Sequence, residues 1–254
     1  MKELGRQWSH HAPVYEEVFL DPFRPGVENP VLDAILAIPE PEQKSIIDLG
    51  CGTGPLLPHL VNRFGTVRAL DFAAGMIKAS RKRLKGDASK VEFLNRPMHD
   101  LADLAGTQDV AVAINSIVMP DTRDIDKTMK AIRACLKPDG VFLGVVPSID
   151  AIHYSTMLVM DRALDEGKSS MEAEALAAAL VEHEMFEFAF GRFQFEKILQ
   201  KFWQPWELEY RLKKAGFKEI TLVKLLYPWD DDIAGGDAFA DHPPSWDWTF
   251  QARP

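Results

Sequence analysis

The residues best suited to chemistry lie in one short run, Ile46-Ile47-Asp48-Leu49-Gly50-Cys51-Gly52-Thr53-Gly54-Pro55. It is an apolar stretch holding one carboxylate that runs into three glycines spaced two apart. Glycines in that pattern let the backbone turn sharply and let a ligand lie against bare amides, because no Cβ stands in the way. At the carboxyl end of a first strand, such a turn sits where open α/β sheets keep their ligands. Asp71 closes the next apolar run, 23 positions after Asp48, and a carboxylate there can accept hydrogen bonds from both hydroxyls of a ribose. Phe72 and Met76 follow it and supply apolar surface for an adenine ring. The expected ligand is therefore an adenosine derivative.

The glycine spacing narrows that class. A dinucleotide fingerprint, G-x-G-x-x-G/A, requires Gly or Ala at position 55, and Pro55 stands there, removing an amide that a pyrophosphate would use. A nicotinamide-dependent oxidoreductase thus stays as a disfavoured alternative. The run 48–55, Asp71 at its distance, and Leu136-Lys137-Pro138-Asp139-Gly140-Val141 before a late strand together resemble the class I S-adenosylmethionine-dependent methyltransferases. The resemblance spans residues 8–147 and 206–254.

It implies S-adenosyl-L-methionine as cofactor, S-adenosyl-L-homocysteine as product, and methyl transfer to an oxygen or nitrogen of a small-molecule acceptor by in-line displacement. It places Asp48, Gly50, Cys51, Gly52, Gly54, Asp71, Phe72 and Met76 around the cofactor and sets Asn115 toward its methionine part. Residues 8–15, ending in Tyr15, are similar to the short helix that closes over the cofactor, and 245–250 to the family's closing strand. One position departs. Where the family has Gly-Asp and a small residue after the third strand, this chain has Arg96, Pro97 and Met98, so the acceptor for the adenine amine falls to His99 or Asp100 while Met98 packs on the ring. That departure leaves room for a protein of the same fold that uses the cofactor for another reaction or for regulation.

Displacement at a sulfonium methyl asks little covalent help of a protein, and alignment alone supplies roughly 7–11 kcal/mol in the best cases. A general base is needed only when the acceptor arrives protonated. His153 and Tyr154, just past the fifth strand, are the candidate catalytic pair, and they also count among the substrate contacts with Ser116, His183, Arg192 and Trp203. His183 sits between Glu182 and Glu184, which also reads as a solvated face. Arg192 could meet an acidic group of the substrate or a surface acid. Trp203 belongs to eight aromatic residues within 21 positions, from Phe186 to Trp206, a density that suits a substrate pocket, a core or a homodimer contact. No metal is expected: Asp121, Asp124 and Asp126 are too loosely spaced, with Asp124 better read as a helix cap. His10-His11 is read as part of the N-terminal cover.

These residues need a scaffold, and the alternation of apolar runs with polar-patterned segments provides one. Strands are expected at 45–49, 67–72, 91–94, 109–115 and 141–146, and helices at 56–64, 76–84 and 124–136. After 147 the pattern changes. Residues 148–203 read as a mainly helical insertion with 5 Lys/Arg against 10 Asp/Glu, followed by a helix at 206–216 and strands at 217–227 and 245–252. The predicted fold is α/β: a doubly wound, mostly parallel, seven-stranded Rossmann-like sheet with helices on both faces and the insertion after strand five. Within a single domain, 1–40 would cover the cofactor, 45–147 bind it, 148–203 form a lid or substrate insertion, and 204–254 complete the sheet.

Composition fits a globular chain: 254 residues, 46% hydrophobic, 26% charged, with 29 Lys/Arg against 38 Asp/Glu for a net charge of −9. That acidic balance argues against phosphate backbones and anionic membranes as partners, since both select clustered positive charge. Two cysteines give no disulfide framework, and no leader or spanning segment is read, so the expected compartment is the cytoplasm.

Overall fold

A computed structural model describes residues 2–13, 21–182, 187–195, 198–230 and 236–254. Its centre is β1 (Ser45–Leu49), where Ile46, Ile47, Asp48 and Leu49 are all buried, the mark of a strand covered on both faces. Beside it lie β2 (Thr66–Leu70), β3 (Val91–Leu94), β4 (Gln108–Ile114) and β5 (Leu136–Val146), joined by parallel pairings. Two C-terminal strands, β8 (Lys218–Tyr227) and β9 (Ser245–Arg253), complete the sheet, with β9 antiparallel to both β5 and β8. The order is β3-β2-β1-β4-β5-β9-β8. Since it reverses between β1 and β4, the chain leaves these two strands in opposite directions and opens a crevice at their carboxyl ends.

The two-residue period of the strands divides the core. Ile46, Val67, Val112, Leu143 and Leu225 pack on one face with Leu57, Leu60 and Ile77. Ile47, Leu49, Ala111, Phe142 and Phe250 pack on the other with Ile125, Met129, Ile132, Leu208 and Leu212. The helices among the described residues are α1 (Lys2–His11), α2 (Pro30–Leu36), α3 (Leu57–Leu60), α4 (Ala74–Leu84), α5 (Thr122–Cys135), α6 (Ile149–Asp165), α7 (Ser170–Glu182) and α8 (Pro205–Lys214), of which α3, α4, α5 and α8 deliver these side chains. Their starts follow from sequence. Asn29 caps α2 through Val31 N and Leu32 N, and Ser148 caps α6 through Ala151 N. Ser169 and Glu172 exchange bonds at the head of α7, as a capping box does. The cap of α5 is Asp121, which accepts from Arg123 N, and not Asp124, which falls in the first turn.

The block after β5 holds strands as well as helices. α6 and α7 pack on each other, but the chain then forms an antiparallel hairpin, β6 (Arg192–Phe195) with β7 (Ile198–Lys201). Trp203, just beyond, is fully buried, donates its Nε1 to Ile117 O at 2.8 Å, and joins Pro147 and Ile149 through its backbone. Lys201, its side chain 4% exposed, pairs with Glu207 at 2.6 Å. The hairpin is thereby fastened beside the carboxyl ends of β4 and β5. At the sheet's outer edge the pairing of β8 slips by one residue between Lys218 and Thr221, where Glu219 takes a φ of +46°. No helix among the described residues is long and apolar enough to cross a membrane.

Candidate functional site

The glycine turn leaves β1 with φ of +71° at Gly50, +53° at Gly52 and +80° at Gly54, and each glycine is required for a different reason. A Cβ on Gly50 would fall 2.4 Å from Ser116 Cβ, so β4 could not approach β1; one on Gly54 would fall 2.8 Å from Ser80 Cβ on α4. A Cβ on Gly52 would meet nothing within 4 Å. Gly52 therefore faces open space and forms the bare-backbone cradle in which a ligand can lie.

Two carboxylates stand behind the cradle. Asp71 accepts from Gly52 N at 3.0 Å and from Ala73 N at 2.7 Å, one bond to each oxygen, so each keeps a lone pair for a ribose hydroxyl. Burial raises its pKa to about 6 against the pull of those two amides. Asp48, 2% exposed, has a buried Oδ2 with no partner, and burial together with the nearby Asp71 charge raises it to about 7. A buried acceptor without a donor costs free energy until a ligand supplies one. Burial likewise holds the Cys51 thiol far above its ordinary value, so Cys51 serves as apolar packing. An open cradle, spare ribose acceptors and an orphan carboxylate oxygen together fit an adenosine-type cofactor carrying donors.

Around it, Met98 sits over the glycine turn, its Sδ 3.6 Å from where a Gly50 Cβ would be. Pro97 and His99 are half-buried beside it, Arg96 is paired with Asp103 at 2.8 Å, and Met76 is buried on α4. From the N-terminus, α1 packs on α4: Ser9 Oγ accepts from Gly75 N at 3.0 Å, and Gly5 lies against Phe72. This helix covers the segment expected to face the adenine. Tyr15 lies outside the described residues.

The other half of the crevice holds a group that sequence reasoning missed. Asn115, just past the carboxyl end of β4 with a φ of +46°, donates Nδ2 to Asp247 Oδ2 at 3.3 Å. The same oxygen accepts from Tyr227 OH at 2.9 Å, and Oδ1 accepts from Ser148 N at 3.3 Å. Burial lifts Asp247 to about 6 in spite of its three donors. The available signal was the strand run Ser245, Asp247, Thr249, a polar set at inward positions flanked by Trp246 and Trp248. Ser116, next along β4, donates its hydroxyl to Leu49 O at 2.6 Å and so ties the two strand ends across the crevice.

The remaining expected residues are dispersed. Tyr154 packs at a tilt against Trp246 and Trp229, ring centres 5.5 and 6.3 Å away, and its hydroxyl donates to Pro243 O at 3.1 Å. His153 is exposed one residue earlier on α6. Arg192 pairs with Glu187 and lies over the Phe190 ring, a surface ion pair, while Trp203 is core. His183 lies outside the described residues. Two cavities of about 440 and 410 Å³ share Lys44 and Asp109 at the opposite, amino-terminal edge of the sheet, away from this crevice.

A family profile described as a methyltransferase domain matches residues 46–140. The chain is 30% identical over 158 residues to trans-aconitate 2-methyltransferase from Rhizobium leguminosarum bv. trifolii, covering 58% of this chain and 56% of that one. To methyltransferase nsrG from Aspergillus novofumigatus it is 33% identical over 99 residues, 39% of this chain and 37% of that one. It thus spans only about two fifths to a little over half the length of these relatives. Among solved structures, Burkholderia thailandensis 1,6-didemethyltoxoflavin-N1-methyltransferase, with that compound and S-adenosylhomocysteine bound, superposes with a TM-score of 0.62 at 17% identity, covering 98% of this chain and 86% of that one. At that identity the likeness is one of fold.

Proposed function

The core of this chain, residues 46–140, is that of a class I S-adenosylmethionine-dependent methyltransferase, and from that premise we propose that the protein transfers a methyl group to an oxygen or nitrogen of a small-molecule acceptor. The carrying observation is the open cradle at Gly52 between Asp71 and the partnerless Asp48 oxygen. When bound, the cofactor supplies an electrophilic methyl on a sulfonium. The chain's own residues then bind and align. With the cofactor bound, Asp71 would hold the ribose, Met98 and the Phe72 segment would offer apolar surface to the adenine, and the bare Gly52 backbone would leave room for the rest. α1, within residues 1–40, covers this half and keeps water from it, as 45–147 hold it and 204–254 complete the sheet.

The acceptor enters from the β4–β5 side, beneath 148–203 and the aromatic wall of Tyr154, Trp229 and Trp246. A flat acceptor can pack there, where position rather than acid–base chemistry sets the rate. A relative whose name gives trans-aconitate as its acceptor supports a small molecule in that place.

Calorimetric titration with S-adenosylmethionine, S-adenosylhomocysteine and NADH tests the cofactor, and formation of S-adenosylhomocysteine with a panel of hydroxyl and amine acceptors tests the transfer. Binding of the first two and not of NADH is expected. Uptake of NADH alone, or cofactor binding with no acceptor-dependent product, overturns the reading.

A further inference from the structure

α8 is fastened on its inner side and open on its outer one. Leu208 and Leu212 are fully buried among Phe142 and Phe250, and the charges beside them are spent within the chain: Glu207 pairs with Lys201 at 2.6 Å, and Arg211 with Asp126 at 3.0 Å. The outer side is therefore a fixed surface. On it stand Trp206, 65% exposed, and Tyr210, 59% exposed, one turn apart. A lone exposed apolar residue is ordinary, but neighbouring tryptophan and tyrosine on a rigid helix are the residue types that anchor the centres of protein interfaces. The hairpin extends this surface. Lys201 Nζ donates to Phe190 O at 2.8 Å while it holds Glu207, which brings the exposed Phe190 to the start of α8, and Leu199, two positions before Lys201, lies on the same side of β7.

Charge indicates what covers it. Glu209 and Lys213 flank Tyr210, both exposed, and pair with each other at 2.5 Å. Positions 206, 209, 210 and 213 share one helix face, and its midpoint falls between Glu209 and Tyr210. Turned over about a two-fold axis at that midpoint, the face complements itself. Trp206 then meets Lys213 of the partner subunit, cation against ring, and Glu209 comes within reach of the same ammonium. The pair inside one helix is exposed and weakly held, so it can exchange partners.

From this pattern we propose that α8 forms the interface of a homodimer, two copies packing as antiparallel helices across Trp206 and Tyr210. The homodimer contact expected in the aromatic run 186–206 thereby narrows to its last member. A two-fold contact closes on itself, which gives a dimer and no larger species. This inference is independent of the cofactor reading.

Sedimentation velocity of the full chain between about 1 and about 200 μM should show monomer passing to dimer, the range suited to a small contact. Trp206→Ala removes an exposed ring and should weaken the dimer at least about tenfold with an unchanged thermal melt at dilution. Two charge variants keep the test standing should that one not fold. Glu209→Lys makes the face wholly basic and Lys213→Glu makes it wholly acidic, so each alone should weaken self-association at least about tenfold. Mixed together, they should recover a dimer of near wild-type strength, because each face now finds its opposite. A wild type that stays monomeric, a dimer indifferent to all three substitutions, no recovery on mixing, or species larger than a dimer overturns the proposal.

Discussion

Single residues at the glycine turn separate folding from ligand binding. Gly52→Ala adds a methyl in open space at a φ of +53°, so its expected cost to stability is about 1 kcal/mol of left-handed strain. The methyl nonetheless fills the cradle, and S-adenosylhomocysteine affinity should drop at least about tenfold, read by calorimetry beside a thermal melt. Gly50→Ala places its methyl 2.4 Å from Ser116 Cβ and should instead lower the melting temperature markedly. Acidity gives a second prediction. Asp48, at about 7, and Asp71 and Asp247, each at about 6, hold their protons to higher pH in the fold than in the unfolded chain. The fold favours the protonated forms, so this stability is fully present below the unfolded carboxyl value of about 4 and is lost as pH rises through about 6 to 7. The ligand-free protein should melt at progressively lower temperature from mildly acidic to neutral pH, and Asp48→Asn should flatten that decline; an unchanged slope would contradict the assignment. Asp48 and the glycines were legible because they lie in one continuous motif, and Asp71 because it ends the next apolar run. Asp247 and Tyr227 were not, because their role arises only when β8 and β9 fold back beside β4.

Elements carry the closure of the site. α1 is held on α4 by the bond from Gly75 N to Ser9 Oγ, and Ser9 also donates to Gly5 O at 2.6 Å within its own helix. Ser9→Ala removes that cap, with an expected loss of about 1 kcal/mol. Hydrogen exchange at Gly75 should quicken, and S-adenosylhomocysteine should leave faster in stopped-flow chase experiments; unchanged rates would mean that α1 does not gate the cofactor. Trp203 fastens the hairpin to the strand ends. Trp203→Ala empties a fully buried site and strips Ile117 O of its donor, for an expected cost of about 3–5 kcal/mol seen as a lower denaturation midpoint. Strands 45–49 and 91–94 are the observed bounds of β1 and β3, whereas β5 begins at Leu136, five residues before the expected 141, because the turn-like run 136–140 continues the strand. The hairpin was not legible, since its dense aromatic residues show no clean alternation. The expected helix at 56–64 contracts to Leu57–Leu60 because its flanks close into tight turns ahead of Gly65, where a Cβ would run into Glu42 O.

Across the whole molecule, the order β3-β2-β1-β4-β5-β9-β8 draws Asp48, Gly52, Asp71, Asn115 and Asp247 to one rim from four separate stretches of chain. Strand–helix alternation was enough to foresee a mostly parallel sheet and a final strand at 245–252, but not the order in which the strands lie side by side. The slipped residue in β8 bears on a different matter, the behaviour of the protein in concentrated solution. A ten-residue strand at the border of a sheet offers unpaired amides and carbonyls that a neighbouring molecule can extend into a continuous ribbon. Glu219 breaks that template by kinking its start, Lys218 and Lys224 add charge along it, and Glu28 bridges to Leu226 near its end. Deleting Glu219 would straighten the border, and sedimentation should then show concentration-dependent oligomers absent from the wild type. One misfit residue, far from any ligand, thus acts as a guard of solubility.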